Sequence, residues 1–335
     1  MSPSPQPPPA PAAFTPASWL PGPDLQTVFA RVGRPFPRPP ARRERWELPD
    51  GDFLDVDRFA GPSPAAPLVL VCHGLEGSSR APYVRGLVAG ALRRGLAAAA
   101  LNFRGCSGEM NRLPRFYHSG ETEDLAYAVG RLVGERPGRP LCLCGFSLGG
   151  NVVAKYLAER GQAAPSQLVA AAVISVPFDL AACARAIDGP GFWMAVYRKR
   201  FLRTLRRKAL RKARTYTGLL DPARVRAVRT FAEFDERVTA PLHGFASGAD
   251  YWSRSSSARL LDRVRRPLLA LAAADDPMVP AASLPLEAAR ANPLVTLEVV
   301  PAGGHAGFVA GPPWRPRYWA EERAVEFLAR AAGAG

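Results

Sequence analysis

Five cysteines and four histidines in 335 residues leave little material for a disulfide framework or a multi-ligand metal site. Cys142 and Cys144 stand one residue apart in an apolar run and would share one face of a strand, so they read as small buried hydrophobes. An intracellular, reducing compartment is therefore expected, and no metal or cofactor is called for. Long hydrophobic runs are missing too. Stretches such as Leu168–Ala172 and Leu268–Ala274 fall well short of the ~18 residues that a membrane span needs. Met1 to Pro16 has neither a basic start nor a continuous apolar segment, so no signal peptide is visible and a cytoplasmic location is expected. Acidic residues are also scarce, 29 against 44 Lys and Arg, which gives a net charge of +15 and raises the question of a polyanionic partner. Composition is otherwise globular, with 47% hydrophobic and 22% charged residues, and the length suits one large domain or two small ones.

Thirteen of the first forty residues are proline, which predicts an extended, irregular arm over residues 1–44, at least before Phe14. From Arg45 the texture changes. Trp46–Leu48 and Phe53–Arg58 flank Asp50-Gly51-Asp52 and read as a hairpin. Apolar runs then alternate with helical periodicity: Pro67–Cys72 strand, Pro82–Arg94 helix, Leu96–Phe103 strand, Glu121–Glu135 helix, Pro140–Gly145 strand, Asn151–Arg160 helix, Leu168–Val176 strand. This alternation predicts a mostly parallel α/β sheet with helices on both faces. The next strand, Leu268–Ala274, comes far later than a plain crossover allows, so an inserted helical cap is expected over 177–254. The core, 45–176 and 255–335, would close with a helix near Ala282–Ala291, the strand Val295–Val300 and the helix Trp319–Ala331.

Gly145-Phe-Ser147-Leu-Gly149 lies between a predicted strand and a predicted helix. A serine on a sharp strand-to-helix turn is exposed and strained, and glycines on both sides make room for the turn, which marks Ser147 as a candidate nucleophile. A hydroxyl needs a base, and the base needs a carboxylate to orient it. His305 sits in the glycine-rich Pro301-Ala-Gly-Gly-His305-Ala-Gly after the last strand. Asp275 and Asp276 end the strand before it. Asp276 is favoured as the residue on the turn, with Asp275 left open. The order Ser, Asp, His is that of the α/β-hydrolase triad. Oxyanion donors are expected at the Leu148 amide and at the Leu75 amide in Val71-Cys-His73-Gly74-Leu75-Glu76-Gly77. His73, His118 and His243 read as structural or supporting.

The chain resembles the YheT-like α/β hydrolases, a branch of predicted esterases related to mammalian membrane-bound phospholipases and yeast medium-chain ester-forming enzymes. The resemblance runs from about Phe14 to Leu328. It is carried by Leu20-Pro-Gly-Pro-Asp-Leu-Gln26-Thr27, His73-Gly-Leu-Glu-Gly-Ser-Ser79, Asn102-Phe-Arg-Gly-Cys-Ser-Gly108, His118-Ser-Gly-Glu-Thr-Glu-Asp124-Leu and Gly145-Phe-Ser-Leu-Gly-Gly-Asn151. It implies Ser147, Asp276 and His305 as nucleophile, carboxylate and base, and carboxylic esters of alcohols or lipids as substrates. Asp24 departs from the pattern, since relatives carry histidine before Leu-Gln-Thr.

Ten of the cations lie between Arg198 and Arg214, a stretch without an acid, and without them the net charge falls to +5. Val196, Tyr197, Phe201, Leu202, Leu205 and Leu210 recur at helical spacing, which predicts one buried stripe and one cationic face. The reading is thus a serine esterase acting on small ester or lipid substrates, with an alcohol O-acyltransferase as the nearest alternative. A non-catalytic lipid- or nucleic-acid-binding protein is the alternative of another class. The 198–214 stretch would contact an anionic membrane or solvent. Nucleic acid is disfavoured because no base-stacking or groove-reading motif accompanies the charge.

Overall fold

Short apolar runs bounded by turns become strands buried on both faces: β3 (Leu68–Cys72), β4 (Ala97–Asn102), β5 (Leu141–Phe146), β6 (Leu168–Ile174) and β7 (Leu268–Ala273). The computed structural model describes residues 14–34 and 39–334. The stretch before Phe14, expected to be extended, lies outside the described residues. Three further strands complete the sheet: β1 (Arg42–Glu47) and β2 (Phe53–Phe59), which form the expected hairpin, and β8 (Val295–Val300). The order is β1-β2-β4-β3-β5-β6-β7-β8. From β4 to β8 every pairing is parallel, and only β1 and β2 run antiparallel to their neighbours.

Alternation along each strand feeds two cores. Leu68, Leu70, Leu141 and Leu143 point to one side, while Val69, Val71, Cys142 and Cys144 point to the other. The cysteine pair therefore shares a face as packing residues, and burial pushes the Cys142 thiol up to about 12. The helices in chain order begin with α1 (Pro23–Val32) and α2 (Pro82–Arg93). Next come α3 (Glu123–Glu135) and α4 (Leu148–Arg160). Leu125 and Val129 of α3 and Val152 of α4 enter the leucine side. Val84 and Leu87 of α2 enter the cysteine side with Leu328 of the last helix.

Between β6 and β7 the chain forms α5 (Leu180–Ile187), α6 (Phe192–Thr215), α7 (Pro222–Ala227), α8 (Phe231–Phe234), α9 (Ala240–His243) and α10 (Gly248–Ser255). Two helices follow β7: α11 (Leu286–Ala291) and α12 (Trp319–Ala331). Among the described residues no helix is long and apolar enough to cross a membrane.

Two expectations change. The arm carries α1, which the density of prolines hid: Pro23 sits at the first helical position, where its missing N–H costs nothing. On α6 the apolar stripe is Tyr197, Leu202, Leu205 and Ala209, whereas Val196 is exposed and Lys212 is buried. Lys212 donates to the carbonyls of Asn111 and Leu113, which satisfies its ammonium inside the fold.

Candidate active site

Ser147 follows β5 directly and precedes α4, at φ 50° and ψ −121°. A left-handed φ is costly for a residue with a Cβ, and here the backbone is held by the Ser147 N–H donating to the Ile174 carbonyl at 2.8 Å. The turn admits only glycine at its flanks. A Cβ on Gly145 would strike the Gly149 carbonyl, and one on Gly149 would strike the carbonyls of His73 and Cys72. Close approach of β3, β5 and α4 thus explains the Gly-x-Ser-x-Gly spacing.

The carboxyl ends of β7 and β8 bring the other two candidates alongside. His305 Nε2 lies 2.9 Å from Ser147 Oγ, and His305 Nδ1 lies 2.9 Å from Asp276 Oδ2. Asp276 is buried, and its Oδ1 accepts the backbone N–H groups of Met278 and Val279 at 2.8 and 3.1 Å. Asp275 turns elsewhere. Its Oδ1 accepts the Gly304 N–H at 2.9 Å, so it braces the loop that carries His305, and burial raises its carboxyl above the ordinary value despite that bond.

The Leu75 and Leu148 amides, expected as oxyanion donors, both border the same cavity as Ser147. Among the described residues neither N–H meets a protein acceptor. His73 governs the first of them. Its ring is fully buried and held down to about 4 by that burial, so it is neutral. Nε2 accepts the Phe103 N–H at 3.2 Å, which leaves the proton on Nδ1, 2.7 Å from the Gly74 carbonyl. A trans peptide points its N–H opposite its C=O, so tying down the Gly74 carbonyl aims the Leu75 N–H away from His73.

Sequence reading gave α1 no role, yet it holds the loop of the base. Gln26 pairs with both backbone groups of Val309, accepting its N–H at 2.7 Å and donating to its carbonyl at 3.2 Å. Thr27 Oγ1 accepts the His305 N–H at 2.8 Å while donating to the Pro23 carbonyl. Gly304, at φ 61°, has no room for a Cβ against that same Pro23 carbonyl. The Leu-Gln-Thr segment was the available signal. Asp24 accepts the Tyr197 hydroxyl at 2.8 Å and so ties α1 to α6.

His118, Glu121 and His243 approach one another beside the cavity, with ligand atoms within 4.8 Å. The donor set does not suit a cation. The Gly120 N–H donates to His118 Nδ1 at 3.1 Å, so the ring's lone pair is taken and its Nε2 carries a proton towards Glu121. Burial and the nearby His243 hold His118 well below the ordinary histidine value. Asn151, the last residue of the serine motif, fastens this wall by donating to the carbonyls of Ser119 and Ser255.

Above Ser147 lies an apolar cavity of about 250 Å³. Leu180, Ile187, Phe201, Leu205 and Phe231 from the segment between β6 and β7 face it, as do Val28 and Val32 of α1.

Residues 67–312 match the family described as the alpha/beta hydrolase fold. YheT of Escherichia coli (strain K12) is 38% identical over 321 residues, which cover 95% of this chain and 93% of that protein. The chain belongs to the YheT-like α/β hydrolases. This hydrolase is also 32% identical to phospholipase ABHD3 of Mus musculus, over 83% of its own length and 70% of that protein. Monoacylglycerol lipase of Saccharomyces cerevisiae is 30% identical over 80% of this hydrolase and 59% of that lipase. Among solved structures, the esterase Pf2001 of Pyrococcus furiosus superimposes with a TM-score of 0.56 at 17% identity, covering 96% of this hydrolase and 99% of that chain, a likeness of fold.

Proposed function

We propose that the protein is a serine hydrolase of carboxylic esters that works through an acyl-enzyme on Ser147. The observation that carries this reading is the line of hydrogen bonds from Asp276 through His305 to Ser147 Oγ at the floor of an apolar cavity. His305 Nε2 takes the proton as Ser147 Oγ attacks the ester carbonyl, and then returns it to the leaving alkoxide, which departs as an alcohol. Asp276 fixes the tautomer by accepting the Nδ1 proton and stabilises the imidazolium that forms. The Leu75 and Leu148 N–H groups receive the oxyanion, an effect worth on the order of 10²–10³ in turnover per donor. Water activated by the same His305 then releases the acid. No step requires a cofactor or metal.

Residues 177–254 act as a cap, and their apolar contribution to the cavity favours an ester with an apolar acyl or alcohol part. With each buried methylene contributing roughly 0.8 kcal/mol, kcat/KM on p-nitrophenyl esters should rise about fourfold per carbon until the cavity is filled. The deciding experiment is labelling of the full chain with a fluorophosphonate. Native protein should label and Ser147→Ala should not. Equal labelling of the two, or none of the native protein, overturns the reading.

A further inference from the structure

The cations of α6 divide into two sets. Arg198 is spent on the carbonyls of Ile187 and Gly189, Arg206 on those of Leu202 and Val228, Lys208 on Glu76 and Lys212 on Asn111 and Leu113. Lys199, Arg200, Arg203, Arg207, Arg211 and Arg214 remain exposed. No acid partners them among the described residues. From Arg200 onward the exposed arginines step by three and four, so they line one side of the helix. Like charges at that spacing repel one another, and no neighbouring carboxylate offsets them. Arg224, Arg226 and Arg229, on and just after the adjoining α7, are exposed as well, and Asp221 is the one acid between residues 190 and 229.

The same side of α6 begins with apolar residues. Phe192 is 73% and Val196 37% exposed, in step with the arginines that follow. At the end of α1, Val32 is 70% exposed and also borders the cavity. The two helices are joined at the first turn of α1, where Asp24 accepts the Tyr197 hydroxyl of α6, and at its other end like charge sets Arg31 against Arg200. Cations in line with water-exposed aromatic and aliphatic groups, on a helix whose inner side lines the apolar cavity, match a plane that is anionic outside and apolar within. A nucleic acid would match the cations and leave Phe192 and Val32 in water.

We propose that the outer face of α6, with Val32 of α1 at the edge of the cavity, docks on an anionic lipid bilayer. Docking itself does not depend on the hydrolase reading; that reading supplies only its use, delivery of apolar esters from the membrane. The test is co-sedimentation of full-length Ser147→Ala protein with vesicles of phosphatidylserine and phosphatidylcholine, or of phosphatidylcholine alone. Because the serine is already removed, failure of the hydrolase reading leaves this outcome untouched.

Binding should be confined to the anionic vesicles and should weaken as salt rises. Adding Arg203→Gln, Arg207→Gln and Arg211→Gln should weaken it on the order of 10²-fold, at about fivefold per cation, with the thermal unfolding midpoint not lowered. Phe192→Ser should cost about tenfold more, because burial of its ring in lipid is lost. Equal capture by neutral vesicles, full binding by the triple glutamine variant, or a silent Phe192→Ser with displacement by duplex DNA at equal phosphate overturns the proposal.

Discussion

Lys208 Nζ lies 2.7 Å from Glu76 Oε1, so the inner side of the cationic helix grips the loop that presents the Leu75 amide. Both side chains are largely buried, and Tyr117 completes the clamp by donating its hydroxyl to the same carboxylate at 2.9 Å while accepting the Glu76 N–H at 2.8 Å. Burial works against the Lys208 ammonium, but Cys106 and Glu76 outweigh it and hold it above the ordinary value. Glu76 itself is at φ 53°, a conformation that needs outside support.

Lys208→Met should therefore leave Glu76 uncompensated, cost on the order of 3 kcal/mol and lower kcat more than it raises KM. A double variant, Lys208→Met with Glu76→Gln, removes both charges and should recover most of the stability. Urea unfolding and steady-state kinetics on one soluble p-nitrophenyl ester check both. A double variant no more stable than the single one would mean that charge is not what holds the loop.

The two neighbouring aspartates should separate cleanly. Asp276→Asn removes the acceptor of the His305 Nδ1 proton, and turnover should fall about 10⁴-fold. Asp275→Asn keeps an oxygen for the Gly304 N–H, so the base loop stays in place and the loss should stay within about tenfold. Comparable losses in kcat at the two positions would contradict the assignment of Asp276.

The elements and the serine turn were legible because they rest on local rules: periods of two and 3.6 along the chain, and glycine where backbones touch. The triad order followed from spacing, since Ser147, Asp276 and His305 each trail a strand and parallel strands put such positions on one edge. Three features depended on contacts between distant parts. α1 was hidden by prolines, although Pro23 starts the helix without breaking it. His73 looked like a packing residue, and its bond to its own neighbour's carbonyl could not be read from a pattern. On α6, spacing gave the helix, but which lysines turn inward depended on the free carbonyls of Asn111 and Leu113, about a hundred residues away.

The arm yields a prediction of its own. Thr27→Val deletes the acceptor of the His305 N–H and the hydroxyl that ties back to Pro23, without changing the side chain's shape. One hydrogen bond contributes about 1 kcal/mol, so kcat/KM should drop roughly fivefold. The drop should fall on kcat, because Thr27 acts through the placement of the base. An unchanged kcat with a lower melting temperature would make α1 a packing element only.

Glu121 supplies a dependence of stability on pH. Burial first, and then the nearby Asp124, push its carboxyl up to about 7, and Arg115, 3.6 Å away, offsets this only in part. Between the ordinary carboxylate value and pH 7 the folded chain holds a proton there that the unfolded chain has released, so stability falls as pH rises through this window. Buried histidines act in the opposite sense. His73 and His243 are held at about 4, so the unfolded chain takes up their protons first and stability is lost as pH falls below about 6.5. These histidines are common to wild type and variant and cancel in a comparison of the two. Glu121→Gln keeps an oxygen for the Glu123 N–H but cannot ionise. At pH 8 the variant should be the more stable by on the order of 3 kcal/mol, and the gap should close by pH 4.5. Urea unfolding at the two pH values measures it. A gap of the same size at both, or a variant weaker than wild type at pH 8, would show that Glu121 is carried as a compensated anion through its contact with Arg115.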